Sequence, residues 1–387
     1  MKLKVVTLNC WGVFTPLACE KRHERLAAIA DVMSEGENDI VFLQEIWTDG
    51  DYDKIRKKML KSYPHSQYFH SNLIGSGCCI FSRYPIEETF FYRYAANGFP
   101  HRLQHGDWFG GKGVGMARIR LPGDLTLACY VTHLHAQYSR EKDEYLPHRV
   151  SQAHELSTFL RLTSAGADAA LLCGDLNLSP DTLGLRLLLA NSGLKDAWVE
   201  HAGAAACEDK EGVTCDRPGN SFTSKLKPFP ERLDYVLFGS TAGTRIDCLD
   251  CRLALGKVPG QSYNYSDHEA VQAEFELTRS VTQPAILGPN LAARRDLLTR
   301  CLPVMQEGVS AAKRDRIYFA GCLLLALVLL FCASNLLGAG FLGLPIIVAD
   351  SIYIFFLVWT IIVVKQAEIR AMTNTLHGME RLLAAED

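Results

Sequence analysis

The stretch Ala169-Ala170-Leu171-Leu172-Cys173-Gly174-Asp175-Leu176-Asn177 decides how the chain is read. Ala169–Cys173 is a short apolar run of the kind that forms a strand buried on both faces. It stops at a glycine, and a carboxylate and an amide follow. Strand-like segments with comparable endings recur through the first 277 residues. Asn9 follows Val5-Val6-Thr7-Leu8, Glu45 follows Ile40–Gln44, His133 closes Ala128–Thr132, and Asp267-His268 precedes Ala270–Leu277. Leu26, Ile29, Ala30 and Met33 have helical spacing within Arg22–Met33, and Arg149–Leu162 reads as an amphipathic helix. Val271, Ala273, Phe275 and Leu277 alternate with polar residues, as in a half-buried strand. Strands and helices that alternate in this way predict an α/β domain with hairpins mixed in.

The rest of the chain is different. Of its 387 residues, the 48 from Ile317 to Val364 carry a single charge, Asp350. Ile317–Leu337 and Phe341–Val364 are each long enough to cross a hydrocarbon core, which takes about 20 residues. Gly338, Gly340, Gly343 and Pro345 suit the turn of a hairpin between them. Disorder, collagen and coiled coil are excluded by composition. The net charge of −3 hides a division. Residues 1–277 hold 30 Lys and Arg against 35 Asp and Glu, whereas 278–316 hold seven basic residues against three acidic ones. An acidic domain is a poor partner for polyanions, so no nucleic-acid partner is expected. The basic segment 278–316 reads as a juxtamembrane linker that attracts anionic phospholipid. Within it, Leu291, Leu297, Leu298, Leu302 and Met305 predict a short amphipathic helix lying on the membrane. Basic residues on both sides of the hairpin place the domain and the 365–387 tail in the cytosol. Thirteen cysteines without regular spacing, mostly in apolar runs, agree with that reducing location. An N-terminus without a secretory core agrees as well. Plasma membrane, endoplasmic reticulum and other internal membranes all remain open.

Polar groups at strand ends are where α/β proteins build sites. A single carboxylate there is more often a cap or turn residue. Six such positions, mixing carboxylates, amides and imidazoles, argue for chemistry.

Leu8-Asn9-Cys10-Trp11, Leu43-Gln44-Glu45, Gly77–Ile86, Thr132-His133-Leu134, Gly174-Asp175-Leu176-Asn177, Leu233-Asp234-Tyr235-Val236 and Ser266-Asp267-His268 occur in the order seen in the endonuclease/exonuclease/phosphatase superfamily. Residues 1–277 resemble that superfamily, and Gly106–Gly113, with Asp107 and Lys112 five apart, resembles its neutral sphingomyelinases. The C-terminal hairpin resembles the anchor of the small, doubly membrane-spanning members. The resemblance implies a four-layered sandwich of two packed mixed β-sheets flanked by helices. It implies a phospholipase C-type hydrolase that cleaves sphingomyelin to ceramide and phosphocholine. It further implies that Asp107 and Lys112 lie on a mobile loop whose lysine reaches the site, and that Asp234 orients a partner.

Phosphodiester hydrolysis needs charge neutralisation and an activated water. Glu45 is the expected Mg²⁺ ligand, with Asn9 as a second ligand or an orienting group. His268 is the expected general base, since imidazole titrates near neutrality, with Asp267 setting its environment or contacting the metal. Asp175 and Asn177 position water and a phosphate oxygen, and His133 donates to the developing oxyanion. A lyso-phosphocholine lipid is the nearest rival substrate. A phosphoinositide phosphatase or nuclease is disfavoured because Tyr235 stands where those relatives have arginine. A non-catalytic membrane scaffold has no reason to keep Glu45, Asp175, Asn177 and His268.

Overall fold

The computed structural model describes residues 1–15, 19–201, 211–226, 228–280, 285–337, 340–341 and 343–385. Its strands are β1 (Lys2–Asn9), β2 (Ile40–Gln44), β3 (His65–Tyr68), β4 (Cys79–Ser82), β5 (Ile86–Arg93), β6 (Gly113–Leu121), β7 (Leu125–His133), β8 (Ala169–Asp175), β9 (Lys195–Asp196), β10 (Asp234–Ser240), β11 (Thr244–Ala254) and β12 (Ala270–Arg279). Its helices are α1 (Arg22–Ser34), α2 (Asp49–Met59), α3 (Asp107–Gly110), α4 (Leu146–Thr163), α5 (Leu183–Ser192), α6 (Ala197–Glu200), α7 (Leu291–Leu336), α8 (Gly343–Trp359) and α9 (Lys365–Ala384).

The strands form two six-stranded sheets, ordered β11-β12-β1-β2-β4-β3 and β5-β6-β7-β8-β10-β9. Side chains alternate across each strand, so each sheet has two apolar faces to cover. Leu3, Val5, Ile40 and Phe42 of the first sheet meet Leu127, Cys129, Val131 and Val236 of the second in a shared core. On the outer face of the first sheet, Val6 and Leu8 pack against α1 and α2 through Ile29 and Ile55. On the outer face of the second, Tyr130 and Leu172 pack against α4 and α5 through Leu156 and Leu188. The four expected layers are present.

β1 runs parallel to β2, and β7 runs parallel to β8. Both parallel pairs end at one edge of the sandwich. Asn9 is in register with Gln44 there, and Asp175 lies between His133 on one side and Asp234 on the other.

The C-terminal part departs from expectation. The short helix foreseen on the membrane surface is the start of α7, which runs unbroken through Pro303 for 46 residues. Leu297, Leu298, Cys301 and Met305 are buried against Val150 of α4 and Leu187 of α5, beside Met372 and Met379 of α9. These apolar residues have a protein surface to cover, so the segment does not lie free as a linker. α7 and α9 thus add a fifth layer. The helical stretches Leu291–Leu336 and Gly343–Ala384 each contain an apolar window long enough to cross a membrane. The chain turns between Leu336 and Gly343, where the glycines predict it, although Gly338 lies outside the described residues. Lys365, which has no exposed side-chain surface, ties the base of the hairpin together through Asp315 at 2.8 Å and Glu368 at 2.9 Å.

Candidate active site

Asn9 is the hub of the strand-end cluster. Its Nδ2 donates to Glu45 Oε1 and to Asp175 Oδ2, each at 3.0 Å, and so joins the ends of the two sheets. Its Oδ1 accepts the Trp11 N–H at 3.0 Å. The amide nitrogen thus faces the carboxylates, and the Trp11 N–H takes one of the two lone pairs of the amide oxygen. Through Nδ2, Asn9 holds Glu45 in place.

The backbone at this edge is bent to present these groups. Trp11, Glu45 and Asn177 all have positive φ, at 45°, 60° and 47°. Such left-handed conformations cost of order 1–3 kcal/mol for residues other than glycine and concentrate at functional sites. Gly174, at φ 145°, passes so near the Thr132 backbone that any Cβ there would collide with its carbonyl.

His268 and Asp234 form a pair. A carboxylate can only accept, so His268 Nδ1–H donates to Asp234 Oδ2 at 2.7 Å, which puts the lone pair of the neutral ring on Nε2. Ser266 locks the loop to β1 by donating from Oγ to Asn9 O at 2.6 Å. Burial pulls the His268 pKa down, but the Cys215 thiol and the Asp234 carboxylate outweigh it and hold it well above its ordinary value. Burial also pushes the Cys215 thiol up, with His268 opposing it.

His133 Nε2 lies 3.4 Å from Asp175 Oδ2, while its Nδ1 is buried without a partner. Burial and Lys112 keep this imidazole neutral. Asn177 N–H donates to Asp175 Oδ1 at 2.8 Å, and its Nδ2 donates to Leu134 O at 3.1 Å. The structure thus gathers Asn9, Glu45, His133, Asp175, Asn177, Asp234, Asp267 and His268 at one edge.

This cluster carries more negative charge than its neighbours balance. Burial raises the pKa of Glu45, helped by the nearby Asp267, and burial raises that of Asp267 too. Asp175 is pushed up to about 7 by burial and by Asp234. Buried carboxylates in this condition fit a hard divalent cation with oxygen ligands. Asp175, Asp234 and His268 bring ligand atoms within 4.8 Å of one another, but the hydrogen bond between the last two already commits them. Glu45 is the freer ligand, with only Asn9 and a 3.4 Å contact from Trp47 Nε1 on its oxygens among the described residues.

Asp107 and Lys112 form a second, adjoining group. Their ion pair is 2.7 Å long and buried, not the exposed loop bridge that spacing alone allows. Lys112 Nζ also donates to Leu134 O at 2.7 Å, the acceptor it shares with Asn177. Burial opposes ionisation of Asp107, yet His135 and Lys112 outweigh it and hold the carboxyl well below the usual range. Tyr138 O–H donates to Asp107 Oδ2 at 2.6 Å, and His135 Nε2 lies 3.5 Å from that oxygen. Tyr138, Trp47 and Cys215 are not among the expected site residues, because nothing in their local sequence separates them from ordinary loop residues; Ser266 belongs to the quoted Ser266-Asp267-His268 motif, but its tie to Asn9 O is seen only in the structure.

The endonuclease/exonuclease/phosphatase family model matches residues 6–268. The chain is 38% identical to a putative neutral sphingomyelinase of Caenorhabditis elegans, over 99% of this chain and 91% of that one. It is also 38% identical to sphingomyelin phosphodiesterase 2 of Homo sapiens, over 88% and 82% of the two chains. Among solved structures, a magnesium-bound mutant of beta toxin from Staphylococcus aureus shares the fold, with a TM-score of 0.54 and 22% identity over 70% of this chain and 99% of that one. A family match that spans the whole strand-end cluster, together with relatives aligned along nearly the full length, makes the chain a member of the endonuclease/exonuclease/phosphatase family, in its neutral sphingomyelinase group.

Proposed function

We propose that the chain is a Mg²⁺-dependent phospholipase C-type hydrolase that cleaves sphingomyelin into phosphocholine and ceramide at a membrane surface. The observation that carries this reading is the His268–Asp234 pair beside an under-neutralised carboxylate cluster. Glu45 would hold the Mg²⁺, oriented by Asn9, and the ion would supply charge to the phosphate oxygens. His268 takes a proton from water through Nε2, and Asp234 stabilises the imidazolium that forms. The water oxygen bonds to phosphorus, and the bond from phosphorus to the ceramide oxygen breaks. The hydrogen that ceramide gains balances the one His268 removes. Asp175 and Asn177 hold the water and a phosphate oxygen, His133 donates to the oxyanion, and Asp267 sets the charge around His268. Lys112, held by Asp107, adds positive charge at the same edge.

We assign residues 1–277 to the catalytic unit, 317–364 to two membrane spans and 365–387 to a cytosolic tail. Segment 278–316 meets anionic phospholipid, although several of its bases are already paired, Arg279 with Asp168 and Arg314 with Glu307. The test uses the full chain in detergent with labelled sphingomyelin, a lyso-phosphocholine lipid, a phosphoinositide and DNA. Phosphocholine release from sphingomyelin that needs Mg²⁺ and disappears in Glu45→Gln and His268→Ala supports the reading. Faster turnover of the lyso-lipid, the phosphoinositide or DNA overturns it.

A further inference from the structure

The loops that leave the strand-end edge touch one another in a closed ring around the candidate active site. Strand register puts their roots side by side, with Cys79 opposite Leu43, Val114 opposite Thr132 and Asp234 opposite Asp175. The loop before β4 is tied to the loop before β6 by Leu73 N–H, which donates to Phe109 O at 3.1 Å. That second loop meets the loop after β7 where the rings of His105 and Tyr138 stack with centroids 3.8 Å apart. Beyond Tyr138, Arg140 lies over the ring of Phe229 and pairs with Glu231 at 2.6 Å, which brings in the loop before β10. Phe222 of that loop is 5.1 Å from the ring of Trp11, after β1. Phe14, three residues further on, shares a groove of about 650 Å³ with Trp47 and Leu73. The ring is thereby closed.

Each of these loops leaves a large apolar side chain in solvent. Leu226 is 94% exposed, Leu73 74% and Leu103 72%, and Phe14, Tyr138 and Phe229 are exposed as well. A single exposed leucine is ordinary on a protein surface, and Leu60 and Leu162 at the ends of α2 and α4 are examples. A circle of such side chains around one site is a different matter, because clustered apolar surface marks a place where water is displaced by a partner.

The neighbours of the ring say which partner. The loop before β6 touches the base of both apolar spans. The ring of His101 is 5.3 Å from that of Phe319, near the start of the first span, and the ring of Trp108 is 5.8 Å from that of Trp359, near the end of the second. A hairpin brings these two ends to one side of the bilayer, and aromatic rings concentrate at that depth. The ring of loops therefore lies level with the membrane surface.

We propose that the ring seats on the bilayer that the hairpin crosses, with Leu73, Leu103 and Leu226 entering the boundary between headgroups and acyl chains. The active site then opens onto the leaflet that carries its substrate, and a lipid reaches it without passing through water. This proposal rests on the reading of the apolar hairpin as two membrane spans.

The test is photo-labelling of the full chain in phosphatidylcholine vesicles that contain a phosphatidylcholine with a diazirine on its acyl chain, followed by peptide mapping. Label on the spans and on peptides containing Leu73, Leu103 or Leu226 supports the proposal. Label on the spans with none on these loops overturns it. Unlabelled spans sink the hairpin reading and this proposal with it, so the two failures are told apart. A kinetic arm uses two double variants. Leu73→Glu with Leu226→Glu is expected to lower turnover of vesicle sphingomyelin about tenfold, while a water-soluble short-chain sphingomyelin is cleaved within about twofold of the native rate. Leu60→Glu with Leu162→Glu, which lie off the ring, should match the native chain on both substrates. An undiminished vesicle rate in the first pair, an equal loss on both substrates, or an equal loss in the second pair overturns the proposal.

Discussion

Trp108, in the loop that carries Asp107 and Lys112, stands edge-on to Trp359 at the end of α8, with ring centroids 5.8 Å apart and planes at 90°. The same loop is clamped from the other side, where Leu73 N–H and Ile74 N–H donate to Phe109 O at 3.1 and 3.2 Å. A side chain of the second apolar helix thus braces a segment that contacts the candidate active site. An aromatic pair of this kind contributes about 0.5–1.5 kcal/mol beyond its area. Trp359→Ala is expected to lower kcat/KM on micellar sphingomyelin by about three- to tenfold while the main thermal transition stays put. Unchanged kinetics would show that the brace is only packing.

As the proposed base, His268 must be neutral to accept a proton, and Cys215 together with Asp234 holds its pKa above the ordinary value against burial. The rate therefore rises with pH through that raised pKa, with the acidic limb of kcat/KM centred above about 6.5. Asp234→Asn removes the charge that supports the imidazolium. Its limb is expected to shift to lower pH, and its plateau to fall by about 10²–10⁴-fold. A pH–rate profile separates this from a simple loss of folded enzyme, which lowers the plateau and leaves the limb in place.

Glu45 is a buried carboxylate whose charge is disfavoured by burial and by Asp267. A bound divalent cation relieves both costs and stabilises the folded state by about 2.7 kcal/mol at a hundredfold excess over Kd. Mg²⁺ is expected to raise the thermal midpoint saturably, and EDTA to reverse the effect. Glu45→Gln should melt no lower than the native chain in EDTA, because it removes an unfavourable charge, yet gain little from Mg²⁺. Differential scanning fluorimetry reads all three outcomes without substrate.

Much of this arrangement was legible because strand ends leave a signature. Asn9, Glu45, His133 and Asp175 each terminate an apolar run, and two parallel strand pairs suffice to bring such ends to one edge. Which atom of Asn9 faces the site was not legible, since that depends on the Trp11 N–H, placed by a backbone turn no side chain announces. Tyr138 and Ser266 act through contacts made only after distant loops meet. α7 was misread for a different reason. Leu297, Leu298, Cys301 and Met305 form an amphipathic stripe that fits a lipid surface and a helical layer equally well. Only the uncovered apolar faces of α4 and α5, themselves long-range products of the fold, decide between the two.

That layer bears on where the catalytic unit ends. Leu298, Cys301 and Met305 are wholly buried in the α4–α5–α7–α9 cluster, and burying one large apolar side chain contributes about 1.5–3 kcal/mol. A chain cut after residue 290 is expected to aggregate or to melt well below the full protein, as tryptophan fluorescence would report. Leu298→Asp in the full chain should destabilise it in the same direction. A stable, monomeric 1–290 fragment would restore the view of this segment as a linker.

The Asp107–Lys112 pair allows a sharper separation of structure from chemistry. Both side chains are about 3% exposed, so removal of one leaves the other charged in a buried site. Breaking a buried pair in this way costs about 3–5 kcal/mol, whereas replacing both members with neutral groups of similar volume is often close to neutral. Asp107→Ala is therefore expected to lower stability sharply, and Asp107→Asn with Lys112→Met to recover most of it. Activity should follow a different pattern. If the ammonium of Lys112 only fills space, the double variant recovers turnover along with stability. If its charge serves the phosphate, as its position beside Leu134, Asn177 and His133 argues, the double variant is folded and still slow. Denaturant melts and phosphocholine release measured on the same preparations decide between the two, and recovery of both together would remove Lys112 from the proposed reaction.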